Sequence, residues 1–163
     1  MNTAIRLIII AVLLAASIAS ESLSAEFPGA LDDGWHTWQT MAADGSELQV
    51  YASIKSDRPV KIRIRSDSVC WDDFRVDAQD LGPIDALLSI GWLRRYISPP
   101  TDLSSDVLMA ISQHAGELPV KILGDIVKTG SDRDLRGEAL FWLAQSDNDD
   151  AFLLLDSLLS EKR

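Results

Sequence analysis

The hydrophobic pattern of this chain changes its period once, and that change restricts the fold more than any other feature. Leu48, Val50, Ala52 and Ile54 alternate with Gln49, Tyr51 and Ser53, and Val60, Ile62 and Ile64 alternate with Lys61, Arg63 and Arg65. Alternation of this kind puts one face of an extended strand in a core and the other in solvent. Lys55 to Pro59 (KSDRP) is a hairpin connection between the two segments. Trp35 to Met41 reads as a preceding strand, turned by Ala43-Asp44-Gly45-Ser46. The result is a small antiparallel meander whose apolar face needs a cover. Residues 66–80 are less regular, and Phe74 to Asp77 is a candidate fourth short strand.

From Pro83 the spacing becomes helical. Pro83 suits a first helical turn, and Ile84, Leu87, Leu88, Trp92 and Ile97 form the apolar face of a helix that Ser98-Pro99-Pro100 stops. Further helices are expected at about 104–115, with Val107, Leu108 and Ile111 inward, and at about 118–128, with Ile122, Leu123, Ile126 and Val127 inward. Ser131 and Asp134 have capping-box spacing ahead of Leu135, Ala139, Trp142 and Leu143. The polar run from Ser146 to Asp150 caps a last helix at about 149–160, its acids favoured by the positive end of the helix dipole. The last four helices are two copies of one helix–turn–helix plan with an offset close to 30 residues (Val107 to Leu135, Leu123 to Leu154). A period in this range marks a stacked helical array. The fold class is therefore α+β, with a β-rich module at 26–80 and a helical module at 81–163.

The first 25 residues carry the parts of an export signal: Arg6 near the amino terminus, an apolar run from Leu7 to Ala16, and small residues around Ala19 and Ala25. A membrane-spanning helix needs about 20 apolar residues, and this run meets Ser17 first. A cleaved leader and an exported, periplasmic or secreted protein are expected, with no stable membrane insertion afterwards. Cleavage removes one base (Arg6) and one acid (Glu21), so the net charge stays at −10. A chain this acidic is a poor candidate for nucleic acid, whose phosphates demand clustered Lys and Arg, and its charge argues against general adsorption to anionic lipid. Cys70 is the only cysteine, so no internal disulfide can form and packing must hold the fold. Cys70 is expected to be a buried small apolar residue.

Residues 132–145 (DRDLRGEALFWLAQ), followed by Ala151 to Leu159, resemble a HEAT repeat of the kind found in exported bacterial HEAT-repeat domain proteins. A more divergent preceding repeat covers Ile111 to Val127, and the resemblance extends over about 104–160. It implies that Leu135, Ala139, Leu143, Leu154 and Leu158 are core positions, and that the helical surface binds a protein partner. Residues 26–100 share no such resemblance. An array of this length needs caps, and the β module with the 83–97 helix serves at the amino end. At the carboxyl end, Ala151 to Leu155 is apolar all round a helical turn. Phe152 and Leu153 therefore either fold back onto the β module or face a partner.

Signatures of catalysis are missing. His36 and His114 lie in no zinc-binding or nucleophile-elbow motif, and each is expected to be structural, His114 through a dipole or capping contact at a helix end. The acid clusters Asp72, Asp73, Asp77, Asp80 and Asp147, Asp149, Asp150 read as solvated turns and caps. The second lacks the glycine and glutamate of a calcium loop. Lys61, Arg63 and Arg65 make a basic stripe, which is either a solvent face or a site for an anionic partner. Trp35, Trp38 and Trp71 either build the core or form a sugar-stacking platform. The expectation is a non-catalytic binding or scaffold protein without cofactor or metal, with Phe152, Leu153, Lys61, Arg63 and Arg65 as candidate contact residues. A carbohydrate- or anion-binding β module is the alternative, and a hydrolase a distant third.

Overall fold

The computed structural model describes residues 27–66, 76–98, 101–146 and 148–160. Residues 1–26, which include the expected leader, and Cys70, Trp71, Asp72, Asp73, Phe74 and Asp147 lie outside them. The described chain is a mixed α+β fold: a four-stranded sheet followed by five helices.

The strands are β1 (Gly34–Met41), β2 (Glu47–Lys55), β3 (Arg58–Arg65) and β4 (Gln79–Pro83), in the order β3-β2-β1-β4. β1, β2 and β3 form the expected antiparallel meander. Trp38 faces Val50, which faces Ile64, and His36 faces Ala52, which faces Ile62. This register puts Leu48, Val50, Ala52, Ile62 and Ile64 on one buried face. The β2–β3 connection turns on Ser56 and Asp57, both with positive φ. That is the geometry of a two-residue hairpin loop whose twist matches the strands. The Ser56 N–H donates to the Asp33 carboxylate at 2.7 Å, which fixes the loop to the lead-in segment.

The fourth strand departs from expectation. Val76 and Asp77 are not in a strand; β4 begins at Gln79 and pairs with β1 in parallel. Pro83 ends this strand instead of opening a helix. An edge strand tolerates proline because its missing N–H breaks no ladder. The Ile84 N–H then donates to the Gln39 carbonyl at 2.8 Å, and only afterwards does the chain turn into a helix.

The helices are α1 (Ala86–Arg94), α2 (Asp102–Ser112), α3 (Leu118–Thr129), α4 (Arg133–Gln145) and α5 (Asp149–Ser160). Asp85 caps α1 by accepting the Leu87 N–H at 2.8 Å. Ile90, Trp92 and Leu93 of α1 are buried, but Leu87, expected inward, is 62% exposed. In α2, Val107, Leu108 and Ile111 are fully buried as their spacing requires, and α2 packs along β3. Asp132, not Ser131, caps α4: its carboxylate accepts the Leu135 N–H at 2.7 Å. Asn148 caps α5 by accepting the Asp150 N–H at 2.9 Å. α4 packs on α2 and α3, and α5 packs on α3 and α4. Residues of the sheet and of all five helices belong to one buried cluster. Its aromatic part joins Phe27, Trp38, Trp92 and Tyr96, with successive ring centroids 5.0 to 5.4 Å apart.

Candidate functional site

The last helix carries the most exposed apolar side chains of the fold. Phe152 is 72%, Leu153 65% and Leu159 71% exposed. Only Ala151 of α5 is fully buried; Leu154 and Leu155 are half-buried against the core. The fold-back of Phe152 and Leu153 onto the β module does not occur, because α5 is seated on the helices. Leu154 reaches onto Gly124 of α3, where a Cβ would lie only 2.5 Å from its Cδ2. The absent side chain at residue 124 is thus what lets the two helices approach. Burying an apolar surface is worth about 25 cal/mol per Å², so side chains this exposed forgo that stabilisation unless something covers them.

Beside α5, α4 exposes Leu140 and Phe141. Phe141 packs edge-on against Trp142, and both line a shallow cleft of about 510 Å³ with Ser105, Arg133 and Glu138. The outer surface of the helical half therefore offers large apolar groups on two helices, mixed with charges of both signs.

The basic stripe lies elsewhere. β3 is an edge of the sheet and packs against β2 and α2. Arg63 is taken up internally: its guanidinium donates to both Asp106 carboxylate oxygens, at 3.0 and 3.1 Å, and to the Ile62 carbonyl. The same carboxylate accepts the Ile62 N–H at 3.3 Å. Asp106 of α2 thus occupies part of the open ladder of β3, where an unpaired strand edge would otherwise invite another chain. Lys61 and Arg65 remain exposed, and Arg63 with Asp106 is the only ion pair among the described residues. Trp35 and Trp38 project from opposite faces of β1, with Trp38 fully buried, so these two do not form a common stacking platform.

Both histidines are buried. His36 places Nε2 2.8 Å from the Asp32 carbonyl, while its Nδ1 has no hydrogen-bond partner among the described residues. His114 sits where α2 ends, and its Nδ1 lies 2.8 Å from the Ala110 carbonyl. Because a carbonyl only accepts, Nδ1 carries the proton and Nε2 is the acceptor. The Ser89 hydroxyl, 2.7 Å away, supplies the hydrogen to Nε2, and Ser89 in turn accepts the Trp38 indole N–H at 2.8 Å. Burial pushes His114 down to about 4, against the weaker upward pull of the Ala110 hydrogen bond. The histidine is thus a neutral capping residue and not a cation on the helix dipole. A serine hydroxyl bonded to imidazole can be a nucleophile and its base. Here Ser89 and His114 are 0% and 1% exposed, so no substrate atom reaches them in this structure.

No local pattern marks Ser89, since its partners lie 25 and 51 residues away. Asp80 is a turn group, accepting the Gly82 N–H at 2.9 Å. Among the described residues, no three His, Cys, Asp or Glu side chains converge to hold a metal ion, and no helix is long and apolar enough to cross a membrane. Comparison with family models, with curated proteins and with solved structures finds no match to this chain.

Proposed function

We propose that this is an exported protein that binds another protein through a short HEAT-like helical surface and catalyses no reaction. The observation that carries this reading is the exposure of Phe152, Leu153 and Leu159 together on the terminal helix. Exposed apolar groups gathered in one place mark interaction surfaces more often than scattered ones do. The hairpin plan supports the HEAT-like part: α3 and α5 both have 12 residues and start 31 positions apart (Leu118 and Asp149). The leader-like residues 1–25 support export. Amino-terminal sequencing of the protein recovered from fractionated cells tests that element, and an intact Met1 would remove it.

The binding element is tested by pull-down from cell-envelope extract with wild type and with the Phe152→Asp/Leu153→Asp double variant. A specific partner lost by the variant, at unchanged circular dichroism, is the expected result. Identical partner lists from a folded variant would take α5 out of the interface. Exposed Lys61 and Arg65 favour a second reading, in which the β3 edge holds an anionic ligand such as an acidic glycan. Titration with acidic glycans would then change tryptophan fluorescence, and an unaltered signal would count against it.

A further inference from the structure

The lead-in before β1, the β2–β3 hairpin loop and the end of α1 border one small cavity. Its volume is about 170 Å³, and Leu31, Asp57, Trp92, Arg95 and Tyr96 are among its walls. Cavities of about 150 Å³ hold benzene, so this one has room for about six heavy atoms, the size of alanine. Its walls are tied to one another. Asp33 fixes the hairpin loop through the Ser56 N–H, and Phe27 stacks on Trp92 with ring centroids 5.0 Å apart, which pins the lead-in to α1.

The polar groups of these walls are left without protein partners. Leu31 is only 9% exposed, yet neither its N–H nor its carbonyl makes a hydrogen bond among the described residues. The backbone groups of Gly29 and Ala30 are unpaired in the same way. Backbone groups that protein leaves open and burial shields are ordinarily satisfied by something else. The Arg95 guanidinium carbon lies 6.0 Å from the Tyr96 ring centroid, and only its Nε has a partner, the Trp92 carbonyl at 3.4 Å. The Asp57 carboxylate has none among the described residues. Asp57 and Arg95 therefore line one cavity with opposite charges and do not neutralise each other.

We propose that this cavity binds a small zwitterion of the free α-amino acid class, its carboxylate on Arg95 and its ammonium on Asp57. A guanidinium meets a carboxylate with two parallel N–H···O bonds. An ammonium brings three donors, which Asp57 and the open carbonyls of the lead-in can accept. A ligand of one charge would leave the opposite wall group unmatched, whereas a zwitterion answers both. Buried Trp92 and Ile54 add apolar surface for a short side chain. No residue of α5 takes part, so the site stands whether or not α5 docks a protein.

NMR titration of the protein with L-alanine, propionate and ethylamine tests the proposal. Alanine is expected to shift the amide signals of Gly29, Leu31, Asp57, Arg95 and Tyr96. Propionate and ethylamine, each with one charge, should bind at least about tenfold more weakly, as the loss of one charge-assisted hydrogen bond requires. Arg95→Gln and Asp57→Asn should each weaken alanine binding by a similar factor. Both residues are exposed, and asparagine accepts the positive φ of residue 57, so circular dichroism should match wild type. Amides that do not move at about 10 mM alanine, a concentration that fills a millimolar site, overturn the proposal. Propionate or ethylamine binding as well as alanine would reduce the cavity to a site for a single charge and also overturn it. Unchanged alanine binding in either variant would place the ligand elsewhere, with the same consequence.

Discussion

The Ser89 hydroxyl donates to Nε2 of His114 at 2.7 Å, and this buried contact ties α1 to the end of α2. Trp38 extends the chain into β1, and the Ala110 carbonyl closes it on α2. Every donor in the chain has one acceptor, so a low-dielectric interior holds it without an orphaned group. Ser89→Ala removes the central member and leaves the Trp38 N–H and His114 Nε2 buried without partners. An unsatisfied buried group costs about 1–3 kcal/mol, so the variant should lose about 2–4 kcal/mol in urea denaturation. A loss below about 0.5 kcal/mol, within the range of neutral substitutions, would show that the contact does not hold these elements together.

The same histidine makes stability depend on pH. Its folded value of about 4 lies below the ordinary 6.5, so between these limits the unfolded chain binds a proton that the folded chain refuses. Stability from this group is therefore complete above about pH 6.5 and is lost as pH falls towards 4. At about 1.4 kcal/mol per pH unit, the full loss is about 3 kcal/mol, of which about 2 kcal/mol is gone by pH 5. Denaturation midpoints measured from pH 7.5 downwards should show this slope before the carboxylates begin to titrate. His114→Gln, though less stable, should be flat across that interval. Equal slopes in the two proteins would mean that another group is responsible.

Much of this architecture is legible before folding is considered, and the parts that are not share a cause. The alternation in β2 and β3 and the polar run before α5 place those elements within a residue or two, because local periodicity and capping determine them. β4 (Gln79–Pro83) has no alternation to read. It exists because β1 offers a free edge, so it is a tertiary event. Leu87 fits a helical stripe as well as Ile90 does, and only packing shows that one is exposed and the other buried. Arg63 reads as one of three equivalent bases until Asp106, 43 residues on, singles it out. The exposed face of α5 is not legible for another reason: a turn that is apolar all round, Ala151 to Leu155, does not state which side the chain itself covers.

The Arg63–Asp106 pair predicts a division of labour along β3. Asp106→Ala removes a half-exposed ion pair, worth up to about 1 kcal/mol, and also the acceptor for the Ile62 N–H. A total loss of about 1–2 kcal/mol is expected. Asp106→Asn, which can still accept from Ile62, should lose roughly half as much. Lys61→Ala and Arg65→Ala should stay within about 0.5 kcal/mol of wild type, as exposed substitutions do. Thermal or urea melts of the four variants check this order. If Lys61→Ala or Arg65→Ala destabilised as much as Asp106→Ala, these bases would belong to the fold and not to a free surface.

Two glycines of the helical half should respond differently to alanine. At Gly130 a Cβ would stand 2.5 Å from the Ile126 carbonyl oxygen, the same oxygen that accepts the Gly130 N–H at 2.9 Å and closes α3. The backbone there is at φ −58° and ψ 136°, which any residue can adopt, so the obstacle is the collision and not the dihedral angle. A carbonyl fixed in a helical turn cannot swing aside as a side chain can. Gly130→Ala must therefore displace the α3–α4 connection and is expected to cost about 1–3 kcal/mol. At Gly124 the obstacle is Cδ2 of Leu154, the far end of a rotatable side chain. Alanine is also favoured over glycine inside a helix by about 1 kcal/mol, so the net loss for Gly124→Ala should stay under about 1 kcal/mol. Paired denaturation curves decide the matter. A Gly124→Ala protein less stable than Gly130→Ala would mean that the α3–α5 contact is more rigid than the link between the hairpins, against the order derived from these two approaches.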